Sequence, residues 1–180
     1  MKKQLVGAAA LVIFIAVCRF VPHLANFSPM ICVALFAGHF FKKRIAYAII
    51  LVAMVLTDIV LGLTTHYPMF GAWTFFTYTG FFAIMFAGTR IHSLTERVPL
   101  SALALLGSSL GFWVWTNLGV WLTSGMYPMT LGGFSSCFAL AIPFLQHNVL
   151  SAGIWFVLLF GAQRIAHTVT SLQKRSSHGL

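Results

Sequence analysis

Acidic side chains are almost missing from this chain: Asp58 and Glu96 are the only two in 180 residues, and charged residues of either sign make up 7%. Two carboxylates, one of them in a basic loop, cannot build a calcium cage, an intramembrane aspartyl dyad or the paired acid and base of a glycosidase. So few charges also cannot clothe a water-facing surface, because soluble domains carry about a quarter charged residues. Cysteine is scarce as well. Cys18, Cys32 and Cys137 stand apart in apolar runs, so neither a CxxC redox pair nor a thiolate zinc site can be read, and small buried residues are what they resemble. An HExxH zinc helix and a glycine-rich ATP-binding loop are absent too. No catalytic residue, metal site or cofactor is assigned from the sequence.

What is present is apolar. Hydrophobic residues make up 59% of the chain, in runs that predict an all-α, polytopic membrane helix bundle. About six transmembrane helices fit the length, as a single domain over residues 1–167. Spans are expected at residues 5–20, 45–63, 73–88 and 100–122, with another that ends at 41, breaks at Pro29 and begins near His23. The first run follows Lys2 and Lys3 but lacks a small-x-small cleavage site, so it is read as a retained helix. The last apolar stretch is too long for one span and too short for two. Pro143 and Gln146-His147-Asn148 divide it, predicting a broken or re-entrant segment over 131–144 before a final span over 147–166. Residues 168–180 are expected to be a disordered basic tail.

The formal charge of +9 is distributed in small clusters beside the apolar runs. Lys2-Lys3, Lys42-Lys43-Arg44, Arg90 with Arg97, and Arg164 with Lys174-Arg175 occupy alternate connections. By the positive-inside rule that side is cytoplasmic, and so are both termini. Such clusters contact anionic lipid, so the bilayer rather than nucleic acid is the expected partner.

The opposite connections carry Ser28-Pro29-Met30, Tyr67-Pro68-Met69 and Tyr127-Pro128-Met129, a weak repeat. They read either as three interfacial turns or as three walls of one outward-facing pocket. Asp58 lies thirteen residues beyond Ile45, roughly 20 Å along a helix. Arg19 reaches a similar depth, and so does Asn117 between Trp113 and Trp121. A carboxylate in hydrocarbon costs several kcal/mol unless paired, protonated or hydrated. Asp58 therefore reads as either an ion-pair partner of Arg19 or a ligand contact. The candidate ligand-binding residues are Arg19, Asn26, Asp58, His66, Tyr78, Asn117, Trp121 and Tyr127. His39 and His147 are the only histidines placed to enter the bilayer, and His39 is too near the inner edge to favour haem.

The stretches Asn26-Phe27-Ser28-Pro29, Ala34-Leu35-Phe36-Ala37-Gly38, Thr57-Asp58, Thr116-Asn117-Leu118-Gly119-Val120-Trp121 and Ala141-Ile142-Pro143-Phe144 resemble a family of small bacterial integral membrane proteins of unknown function. A more distant likeness is to the S-components of energy-coupling-factor vitamin transporters. It lies in the size, the six spans, the small residues Gly7 to Ala10 on the first helix, and a Pro-x-x-x-x-x-Leu-Phe-x-Gly run followed by a basic turn. The Ala-x-x-x-Ala spacing often seen there is absent. That likeness implies a bacterial inner-membrane, multi-pass protein that binds a vitamin-like nutrient near the outer surface and docks on a membrane coupling protein with ATPase subunits. The leading expectation is thus a non-enzymatic transport component with a small-molecule ligand. A structural or assembly factor that binds other membrane proteins is the alternative.

Overall fold

The computed structural model describes residues 2–21, 27–65, 68–91 and 98–177. Among these residues are seven α-helices and no strand: α1 Lys2–Phe20, α2 Met30–Phe40, α3 Lys43–Thr64, α4 Ala72–Arg90, α5 Val98–Thr123, α6 Leu131–Leu140 and α7 Ile142–Ser177. Three segments are long and apolar enough to cross a membrane: Lys43–Thr64, Pro99–Thr123 and Ile142–Ala166. The outward faces of the bundle are unlike those of a water-soluble protein. Val6, Leu63, Leu103, Leu131 and Val157 are each two-thirds exposed or more, and apolar exposure on this scale marks a lipid or protein contact surface.

Helix α2 is the centre of the fold. It has eleven residues, a rise of about 16 Å that falls short of a hydrocarbon core of about 30 Å. Met30 to Leu35, Ala37 and Gly38 are all buried, the signature of a helix apolar all round and enclosed by its neighbours. The earlier start expected for this helix, near His23, lies outside the described residues. Its tightest neighbour is α4. A Cβ added at Gly38 would strike the Met85 carbonyl, and one added at Gly88 would strike the Leu35 carbonyl. Glycine at both positions lets the two backbones touch.

Local chemistry sets the helix starts. Pro29 precedes α2, and Pro99 and Pro143 fall in the first turns of α5 and α7, where a missing N–H costs nothing. Thr130 caps α6 by accepting from the Gly133 amide at 3.1 Å. At α4 the Gly71 amide donates to the Thr74 hydroxyl at 2.9 Å.

The break between α6 and α7 falls at Ala141, not at Gln146-His147-Asn148. Pro143 cannot donate to the Ala139 carbonyl, so the first helix stops there and the second begins with the proline in its opening turn. The polar trio then lies inside continuous helix. Helix α7 also continues to Ser177, through residues where the sequence suggests an unstructured tail.

The ends of the bundle differ in charge. Lys43 and Arg90, at the start of α3 and the end of α4, both lie over the Phe86 ring, 5.8 and 4.8 Å from its centroid. The polar site described next is near the other end, where α1, α3 and α5 finish.

Candidate functional site

Three helices deliver one buried charge cluster. Asp58, on α3, has a side chain 3% exposed. Its Oδ1 accepts from Arg19 Nη2 of α1 at 2.6 Å, and its Oδ2 accepts from the Tyr78 hydroxyl of α4 at 2.6 Å. Arg19 Nη1 also donates to Met54 Sδ at 3.0 Å, one turn before Asp58. Both carboxylate oxygens are thus occupied by strong, charge-assisted donors, and the ion pair leaves the cluster with no net charge. The expected depth match of Arg19 and Asp58 is realised as direct contact.

Beside the pair is a cavity of about 390 Å³, within the 300–1,000 Å³ of small-molecule sites. Arg19, Ser28, Thr77, Thr116 and Asn148 supply its polar lining. Met30, Ile31, Met54, Phe81, Phe112 and Trp113 supply most of the apolar lining. Several of these polar groups are already engaged. Thr77 donates to the Trp73 carbonyl at 3.1 Å and Thr116 to the Phe112 carbonyl at 2.8 Å. The Trp113 indole N–H donates to the Ala141 carbonyl at 2.8 Å, fastening α5 to the α6–α7 break. Ser151 donates to the Ser28 carbonyl at 2.8 Å, fastening α7 to the start of α2.

Asn148 is different. It is 7% exposed, lines the cavity and has no hydrogen-bond partner among the described residues. The sequence presents it as part of a helix-breaking trio, which hides its role as a wall residue.

The other candidates from the sequence are dispersed. Asn117 Nδ2 donates to the Trp113 carbonyl of its own helix at 2.8 Å, and its backbone carbonyl accepts from the Cys137 thiol at 3.6 Å. Its neighbours Trp113 and Thr116 reach the cavity, and Asn117 is not among the lining residues. The Trp121 indole donates to the Pro128 carbonyl at 3.1 Å and packs edge-on against Phe134. Tyr127 is half-buried in the same turn. Asn26 and His66 lie outside the described residues. Of the Pro-Met segments, Ser28-Pro29-Met30 sends its serine and methionine to the cavity, whereas Met69 packs on Gly62 and Pro128 packs on Gly133.

A larger groove of about 590 Å³ runs between α4 and α5, lined by Gly80, Ala83, Ala87, Gly107 and Gly111 among others. It contains no charged side chain, and of its polar side chains the Trp115 indole N–H already donates to the Thr79 hydroxyl at 2.9 Å. Within it, Gly107-Ser108-Ser109-Leu110-Gly111 fits the spacing GxSxG. The segment lies in the middle of α5, and Ser109 Oγ is buried without a partner among the described residues. A nucleophile elbow needs a strand-to-helix turn and a base, and neither accompanies Ser109. The His39 imidazole donates from Nδ1 to the Ile91 carbonyl at 3.0 Å and packs on Phe40. No group of three or more metal-ligating side chains occurs among the described residues.

The fold and site define an all-helical protein with three helices fit to cross a membrane and a mostly apolar cavity with a few polar groups among its helices. The chain belongs to the family of unknown function DUF6580, which it matches over residues 1–174. No curated protein and no solved structure matches it.

Proposed function

We propose that this chain is a multi-pass inner-membrane protein of six spans, with both termini cytoplasmic, that serves as the binding component of a transport system for a small, vitamin-like nutrient. The observation that carries the reading is the cavity itself. A balanced ion pair and an amide with no partner among the described residues are held beside apolar walls, near the bundle end remote from the basic clusters. A small number of polar groups in a mostly apolar pocket is the usual composition of a ligand site. That end is extracytoplasmic under the positive-inside rule, so the pocket would load from outside. Energy for inward delivery would come from a partner ATPase module or from reorientation of the protein in the bilayer.

The test is purification of the full chain in mild detergent, followed by mass spectrometry of small molecules released on denaturation. A stoichiometric compound supports the reading. An empty protein that stays empty after incubation with growth-medium extract counts against it.

One observation favours an assembly factor instead. Gly107 and Gly111 face the α4–α5 groove, and a Cβ at either would meet nothing within 4 Å, leaving room for another protein's helix. Recovery of the chain in a stable complex, with no bound small molecule, would favour this second reading.

A further inference from the structure

We infer that the cavity recognises a neutral ligand through an amide-type edge, a carbonyl oxygen beside an N–H as in a carboxamide, lactam or ureide, with an aromatic or aliphatic body behind it. This rests on the proposal that the cavity is a ligand site, and it specifies the chemistry that site selects.

Asn148 carries the argument. Its amide offers donors on one side and an acceptor on the other, is 7% exposed, lines the cavity and meets no partner among the described residues. Its polar atoms are not among the fully enclosed unpartnered ones, Ser109 Oγ and Trp155 Nε1, so the amide is presented to the cavity, where a ligand can take up its hydrogen-bonding capacity. A group that satisfies both polarities at once, in the same plane and spacing, is another amide edge.

The neighbours narrow the class further. Asp58 is outside the lining and has both oxygens occupied, so no carboxylate is presented to a ligand. Arg19 does line the cavity. Its Nη1 and Nη2 are each engaged once, and a guanidinium has five N–H donors, so further donors remain for a carbonyl oxygen. The Arg19 charge is already balanced by Asp58. A ligand carboxylate would therefore bring an unmatched charge into a site of low dielectric, and a ligand ammonium would meet the guanidinium. Neutrality follows from that balance. The rings of Phe81, Phe112 and Trp113 with the thioethers of Met30 and Met54 suit a flat or aliphatic body.

The experiment compares benzamide, benzoate and acetophenone by saturation-transfer NMR on the purified full chain in detergent, with empty micelles subtracted. The three share a ring and differ in the edge: donor with acceptor, charged acceptor, and acceptor alone. Benzamide should bind about tenfold tighter than either of the others, the size expected from one unpaired buried group. In Asn148→Leu the preference should fall to within about twofold, while the protein stays monodisperse and its thermal midpoint does not drop. A midpoint that falls with the preference intact would assign Asn148 a structural role and overturn the inference. Asn148→Ser serves as the second variant, withdrawing the amide from the cavity if leucine blocks folding. Benzoate binding as well as benzamide overturns the ligand class while leaving the cavity a binding site. No binding by any probe, together with no small molecule released from the purified protein, overturns both.

Discussion

Arg19 and Tyr78 hold opposite oxygens of a single carboxylate, so Asp58 joins α1, α3 and α4 at one point. Removing one member of a buried pair leaves an uncompensated charge, whereas removing both can be neutral. Arg19→Met should therefore cost about 3–5 kcal/mol and lower the thermal midpoint sharply in detergent. Arg19→Met with Asp58→Leu should recover most of that loss. A double variant as unstable as the single would show that the cluster is held by something other than its charge balance.

Tyr78→Phe removes one hydrogen bond to a charged acceptor and leaves the ion pair intact. The expected cost is about 1.5–3 kcal/mol, smaller than that of Arg19→Met, measured by the same thermal unfolding. Tyr78 does not line the cavity, so the complement of released small molecules should match that of the unaltered chain.

Gly38 of α2 and Gly88 of α4 should respond differently from Gly107 and Gly111 of α5. Gly88→Ala places a methyl against the Leu35 carbonyl, which belongs to backbone and cannot swing aside. Overpacking of this kind costs about 1–3 kcal/mol. Gly107→Ala meets open space and should leave stability unchanged or raise it by up to about 1 kcal/mol, the helix preference of alanine over glycine. Parallel melts of the two variants decide the matter.

Membrane crossing can be checked by cysteine labelling from each side of sealed vesicles, with Cys18, Cys32 and Cys137 first replaced by serine. Lys42→Cys and Ser124→Cys should label from opposite sides, since they sit at opposite ends of the bundle. Labelling of both from one side would overturn the proposed orientation.

Much of this was legible in the sequence because the chain has so few polar residues to place. A lone acid at mid-depth of an apolar helix needs compensation, and counting rises along a helix put Arg19 at matching depth, which left an ion pair and a ligand contact as the two readings that the structure decides for the pair. Rotation about the helix axis was not legible. Asn117 has the same depth, yet its amide turns back to the Trp113 carbonyl, a local bond that competes with any more distant partner. Asn148 was hidden for the opposite reason. Beside Gln146, His147 and the nearby Pro143 it looks like a break, yet Pro143 falls in the opening turn of α7 and Asn148 lies in continuous helix with its side chain at the cavity. That only the first of the three Pro-Met segments reaches the cavity could not be read either, because proline fixes a local angle and says nothing about where the following side chains meet.

Helix α7 has 36 residues without interruption, a rod of about 54 Å set against a hydrocarbon core of about 30 Å. Asn148 is near one end and Ser177 is the other, about 43 Å away along the axis. A rod of that kind is a lever arm. A tilt of about 5° at the level of Asn148 would carry the far end through about 4 Å, so small changes of angle at one end of this helix are large displacements at the other.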